Sequence, residues 1–152
     1  TLRSKTEEPV KILVVNDDYL TVEMIVICMH TYLPQAEVWV VMGADDDELH
    51  CALKEGAPET YTMTGWNKIT DMSVFDLVLM DWNLVGWEGR DRGNICGDAL
   101  LRELKERGYT GIILANSADP GRNSELVQLG ANASAEAYGR PLSEQIERLL
   151  AG

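Results

Sequence analysis

Residues 75–86 read FDLVLMDWNLVG. Leu77 to Met80 make a short apolar run, and Asp81 stands directly at its end. Apolar on consecutive positions, such a run suits a strand buried on both faces, as in a parallel sheet covered by helices. Working outward, the runs 11-KILVV-15, 37-EVWVVM-42 and 111-GIILA-115 are of the same kind, and 133-ASAEAY-138 is a weaker one. Helix signals alternate with them. Tyr19 to Leu33 reads helical, with Leu20, Met24, Ile27, Cys28 and Thr31 near one face and Pro34 ending it. The stretch 45-DDDELHCALKEG-56 has acid in its first turn and Gly at its end, matching the helix dipole. In 98-DALLRELKERG-108, Leu100, Leu101 and Leu104 share one side. A short helix ending near Gly130 follows 116-NSADPGRN-123, and 142-LSEQIERLL-150 closes the pattern. Strands and helices in strict alternation argue for an α/β domain with a parallel sheet, five strands and five helices. Residues 57–73 and 82–96 carry turn formers without a period and read as loops.

The bulk numbers agree with one domain. The chain has 152 residues, 45% hydrophobic and 25% charged, and residues 1–10 read as a polar tail before a domain at 11–152. No stretch approaches the roughly 20 apolar residues that span a bilayer. No basic-then-apolar leader opens the sequence, so secretion is not expected. Thirteen Lys and Arg against 25 Asp and Glu give a net charge of −12, which repels a phosphate polyanion and disfavours direct nucleic-acid binding. Divalent cations and basic protein surfaces are the expected partners. Cys28, Cys51 and Cys96 lack metal-ligand spacing and read as reduced thiols of a cytoplasm-like compartment. His30 and His50 are isolated, and 132-NAS-134 fits a glycosylation pattern without a secretory context.

In an open parallel sheet, ligands bind beyond the carboxyl ends of the strands. The first strand ends in Asn16, Asp17 and Asp18, the third in Asp81, the fourth in Asn116 and Ser117. Taken singly, Asp17 or Asp18 serves as a helix cap and Asp81 as a turn residue. If the first and third strands are neighbours, Asp17 and Asp81 converge, and a hard dication such as Mg²⁺ relieves their repulsion. With that charge partly neutralised, Asp81 can attack a phosphoryl group and form an aspartyl phosphate.

On 11-KILVVNDD-18, 76-DLVLMDWNLVG-86, 111-GIILANSA-118 and 139-GRP-141, the chain resembles the receiver domain of two-component response regulators. The resemblance implies a flavodoxin-like (βα)5 doubly wound parallel sheet of strand order 2-1-3-4-5. It implies that Asp81 is the phosphate acceptor, Asp17 the direct Mg²⁺ ligand, and Asn83 the residue whose main-chain carbonyl meets the metal. Asn16 stands where the family commonly has an acid holding metal-bound water. Asp18 lies just beyond the pair, as a helix cap.

Three departures from the family accompany these matches. For the family's Thr or Ser at the end of strand four the candidates are Asn116, where simple alignment falls, and Ser117, which alone offers a hydroxyl; the family's Lys before Pro is Arg140 before Pro141. Tyr138, the candidate for the family's swinging aromatic, is one residue too close to Arg140, which reverses its face of a strand. Two insertions, 57–73 and 87–96, are also atypical, the second lengthening the loop after Asp81.

The implied function is that of a phosphorelay receiver rather than an enzyme. It takes a phosphoryl group from a histidine kinase or phosphotransfer protein and signals by protein contact, with homodimerisation through the face of helix four, strand five and helix five. The alternative, from Asn16, Asn116, Arg140 and Tyr138, is a pseudo-receiver that binds partners without phosphoryl chemistry. A metal-dependent phosphatase would want a second acid two residues past Asp81, where the sequence has Asn83.

Overall fold

The structure, a computed structural model, describes residues 9–44, 61–89, 93–135 and 139–152. In chain order the elements are β1 (Lys11–Val15), α1 (Tyr19–Tyr32), β2 (Glu37–Val41), β3 (Tyr61–Thr64), β4 (Leu77–Met80), β5 (Asn83–Gly89), β6 (Gly93–Cys96), α2 (Gly97–Glu106), β7 (Ile112–Ala115), α3 (Pro120–Gln128), β8 (Ala133–Ser134) and α4 (Arg140–Ala151). Six strands form one sheet in the order β3-β2-β1-β4-β7-β8, every pair parallel. The run β2-β1-β4-β7-β8 is the expected 2-1-3-4-5 order, with β3 added outside β2.

Alternation along β1, β4 and β7 divides the core between two faces. Leu13, Val15, Val78, Met80, Ile113 and Ala115 pack with Leu100, Leu101 and Leu104 of α2 and Leu126 of α3. Ile12, Val14, Leu77, Leu79 and Leu114 pack with Val22, Ile25, Val26 and Met29 of α1 and with Leu142 and Ile146 of α4. Helices therefore cover both faces of the sheet, which is why its central strands lack the alternation of a half-solvated strand. The apolar side expected for α2 is the side that is buried.

The structure departs from the sequence reading at several places. The stretch 57–73, read as a loop, contains β3 at its described end, followed by 3-10 turns at Trp66–Lys68 and Met72–Val74. Trp66 is buried there and donates its indole N–H to Glu103 of α2, while Arg107 donates to the Ile69 carbonyl at 2.5 Å. These contacts bind the insertion to the body of the domain. The stretch 82–96, also read as a loop, forms the antiparallel pair β5–β6, apart from the sheet.

On α1, the face on which the sequence grouped Leu20, Met24, Ile27, Cys28 and Thr31 is largely outward. Leu20, Met24 and Ile27 are exposed, Cys28 is buried, and Val22, Ile25, Val26 and Met29 meet the sheet. The helix is apolar nearly all round, so two stripes fit a 3.6-residue period and only packing against the sheet chooses between them. Helix boundaries shift slightly, α2 beginning at Gly97 and α4 at Arg140. Val10, counted with the tail, is buried in the core. The helix expected at 45–56, His50 and Cys51, and Tyr138 lie outside the described residues.

Tyr109 anchors the chain just before β7. Its hydroxyl lies 3.3 Å from both the Phe75 and the Ile112 carbonyl oxygens. Burial first, and the charge of Asp76 second, raise its pKa far above the ordinary tyrosine value. The unfolded chain loses this proton near pH 10, before the folded one does. Its contribution to stability is thus fully present below about pH 10 and is lost as pH rises beyond it. Urea unfolding at about pH 8 and about pH 11 should show a loss of stability in the wild type that Tyr109→Phe diminishes.

Candidate functional site

Val15, Met80 and Ala115 share one register row across β1, β4 and β7. One step further, at the carboxyl edge, the row is Asn16, Asp81, Asn116. The backbone ladder continues through it: Asp81 N–H donates to the Val15 carbonyl at 3.0 Å and Asn116 N–H to the Met80 carbonyl at 2.8 Å. Asn16 N–H donates to the Val41 carbonyl at 3.1 Å. Neighbouring strands are about 4.8 Å apart, so Asp81 stands one strand spacing from an asparagine on either side. Asn16 and Asn116 are buried, and Asp81 is half-buried at the rim.

Asp17 follows Asn16 at the same edge and is also half-buried. Asp18 caps α1, its carboxylate accepting the Thr21 N–H at 3.2 Å and the Thr21 hydroxyl. The capping role expected for Asp18 is therefore observed, and Asp17 is the other acid at this end of β1. Asn16 accepts the Asp18 N–H on its Oδ1 at 2.9 Å, so its amide also shapes the turn into α1. An amide oxygen has a second lone pair for a metal-bound water.

At the end of β7, the two candidates separate. Asn116 continues the row beside Asp81. Ser117 turns into the start of α3: its N–H donates to Asn123 Oδ1 at 2.7 Å, and its Oγ accepts the Asp119 N–H at 3.1 Å. Asn123 also donates to the Ser117 carbonyl at 2.9 Å, and both residues are buried. Asn123→Ala strands a buried N–H and a buried carbonyl, at a cost of about 2–4 kcal/mol. A thermal or urea midpoint measures it, and an unchanged midpoint contradicts this geometry.

Arg140 is the first residue of α4, with its side chain 71% exposed and its Nε 3.5 Å from Glu144. Its charge is engaged in a local pair four residues apart. The preceding Gly139 has φ +91°, a conformation that favours glycine, and its carbonyl accepts from the buried Cys28 thiol at 2.8 Å. Cys28 thus fastens α1 to the turn that carries Arg140.

Asn83 opens β5, two residues after Asp81, and its backbone pairs in register with Cys96. The hairpin beyond returns the chain to Gly97, whose N–H donates to the Trp82 carbonyl at 2.7 Å. A Cβ on Gly97 would stand 2.0 Å from the Asp81 carbonyl oxygen. Gly97 is the close neighbour of Asp81 that the sequence reading did not single out. The signal was its place at the return of an insertion that leaves Asp81 and comes back beside it.

The donors on these positions are hard oxygens: two carboxylates, an amide and, from Asn83, a main-chain carbonyl. Among the described residues no group of three or more His, Cys, Asp or Glu side chains gathers around a metal position. Mg²⁺ suits this composition, since it is commonly held by one or two carboxylates, with waters and substrate phosphate completing its octahedron.

No family model and no curated protein matches the chain. Solved structures do. NtrX from Brucella abortus, in complex with ATP, superposes over 95% of this chain with TM-score 0.63 and 19% identity, and the chain spans only 27% of that protein's length. A CheY-like receiver domain protein from Methanospirillum hungatei matches over 95% of both chains with TM-score 0.54 and 20% identity. The signal receiver domain of a DNA-binding response regulator from Colwellia psychrerythraea matches over 94% of this chain and 99% of its own, with TM-score 0.56 and 18% identity. The chain has the fold of the response-regulator receiver domains.

Proposed function

We propose that this domain is a receiver that takes a phosphoryl group onto Asp81 from a histidine kinase or phosphotransfer protein. The observation that carries the reading is the central place of Asp81 in a row of strand ends, between two buried asparagines, with Asp17 next to Asn16 on the same edge. Mg²⁺ held by Asp17, Asp81 and the Asn83 carbonyl would neutralise charge between the carboxylates and on the incoming phosphoryl oxygens. An Asp81 oxygen forms the new bond to phosphorus as the donor's bond to phosphorus breaks, the electron pair leaving with the donor. Hydrolysis of the acyl phosphate returns the carboxylate and releases phosphate. Asn116 offers an amide N–H to a phosphoryl oxygen in place of the family's hydroxyl. The domain is a phosphoacceptor, not an enzyme with a separate substrate.

A donor protein has to reach the rim where α1 begins. The outward side chains of Leu20, Met24 and Ile27 offer it an apolar stripe there. Output by contact, including homodimerisation, would use α3, β8 and α4, which border an open groove of about 610 Å³ containing Ser117, Pro120, Asn123, Pro141 and Gln145. The described residues contain no helix long and apolar enough to cross a membrane. With the sequence's reduced thiols, that fits a cytoplasmic relay.

Arg140, exposed and paired with Glu144, favours the second reading, a scaffold that uses no phosphoryl chemistry. Acetyl phosphate with and without Mg²⁺, followed by intact mass, separates them. A Mg²⁺-dependent gain of one phosphoryl group supports the receiver. No gain, with unchanged partner binding, supports the scaffold.

A further inference from the structure

Trp82 follows Asp81 directly, and its indole ring lies under Arg122 of α3, with the guanidinium carbon 4.9 Å from the ring centroid. The same guanidinium is 3.0 Å from Glu125, both side chains being about half exposed. Two weak, solvent-screened contacts therefore hold this cation against the residue that follows Asp81. Its helix is itself lightly fixed, burying only Asn123 and Leu126 among its nine residues. Arg140, the cation expected at the site, has its own partner in Glu144.

We propose that Arg122 is the residue through which charge gained at Asp81 reaches α3. A phosphoryl group at Asp81 places a dianion next to Trp82, and a planar guanidinium can meet two of its oxygens at once. The dianion outcompetes a ring face and a single hydrated carboxylate, so Arg122 leaves Trp82 and Glu125, and the first turn of α3 moves with it. Leaving Glu125 costs little, because that carboxylate is already in water. Pro120, Asn123 and Ser124 on α3 border the groove shared with α4, so the movement alters the surface available to a partner. The inference rests on Asp81 being the acceptor.

The test compares wild type, Arg122→Ala, Arg122→Lys and Glu125→Gln in Mg²⁺, each with and without acetyl phosphate or beryllofluoride. Intact mass reports uptake, and amide NMR of residues 120–128, with the Trp82 indole N–H, reports coupling. All four proteins should gain the phosphoryl group. The α3 shifts of wild type should fall to below about a third in Arg122→Ala, recover partly in Arg122→Lys, and persist in Glu125→Gln, whose guanidinium has lost a competing anion. Equal α3 shifts in wild type and Arg122→Ala, with uptake intact, overturn the inference alone. Loss of the α3 response in Glu125→Gln overturns it as well. Absence of uptake in wild type overturns the acceptor reading and the inference with it.

Discussion

Asp81→Asn is expected to reduce phosphoryl uptake from acetyl phosphate to background, a loss of at least about a hundredfold, while the domain stays folded. The amide nitrogen and oxygen replace the carboxylate atom for atom, but the amide is a poor nucleophile and carries no charge to hold a dication. The backbone bond from residue 81 to Val15 does not involve the side chain and survives the change. If Asp17 and Asp81 converge as proposed, removing one carboxylate also relieves their repulsion, so the variant should unfold no earlier than wild type. Intact mass after acetyl phosphate treatment, beside a thermal melt, checks both halves. Retained uptake would mean that a different residue is the acceptor.

Gly97→Ala should do the opposite kind of damage, to geometry rather than chemistry. Helix propensity alone favours alanine by up to about 1 kcal/mol at a helical position. Against that, the added Cβ falls 2.0 Å from the Asp81 carbonyl oxygen and 3.1 Å from Trp82 Cα. Both are backbone atoms that no rotamer change can remove. Overpacking of this kind costs about 1–3 kcal/mol, so the steric effect wins and the protein is destabilised. Relief requires α2 or the Asp81 backbone to shift, and a displacement near 1 Å at a reacting group can lower a rate about a hundredfold. Urea midpoints and the rate of phosphoryl uptake measure the two consequences. A variant as stable and as fast as wild type would show that α2 does not press on Asp81.

The parts of this molecule legible in the sequence were those fixed by local pattern. The strands at Lys11–Val15, Glu37–Val41, Leu77–Met80 and Ile112–Ala115 announce themselves because burial on both faces demands consecutive apolar residues. Asp18 was legible as a cap for the same reason, since capping is settled within one turn. The outward face of α1 was not, because its apolar residues surround the helix and the sheet alone selects Val22, Ile25, Val26 and Met29. β3 was hidden because Tyr61–Thr64 joins the sheet through pairing with Val38–Val41, a long-range match that YTMT does not encode by period. Within the site, Asp17, Asp81 and Asn116 could be placed at strand ends from sequence order. The division of labour between Asn116 and Ser117 could not, because it depends on Asn123, six residues on, claiming both backbone groups of Ser117.

As proposed, Asp17 and Asp81 hold one dication between them at the rim of the sheet. Titrating Mn²⁺, a paramagnetic stand-in for Mg²⁺, while recording amide NMR tests it most directly. Broadening should centre on residues 16, 17, 81 and 82, be displaced by excess Mg²⁺ and be much weakened in Asp17→Asn. Broadening that is absent there, or centred on a different part of the surface, would contradict it.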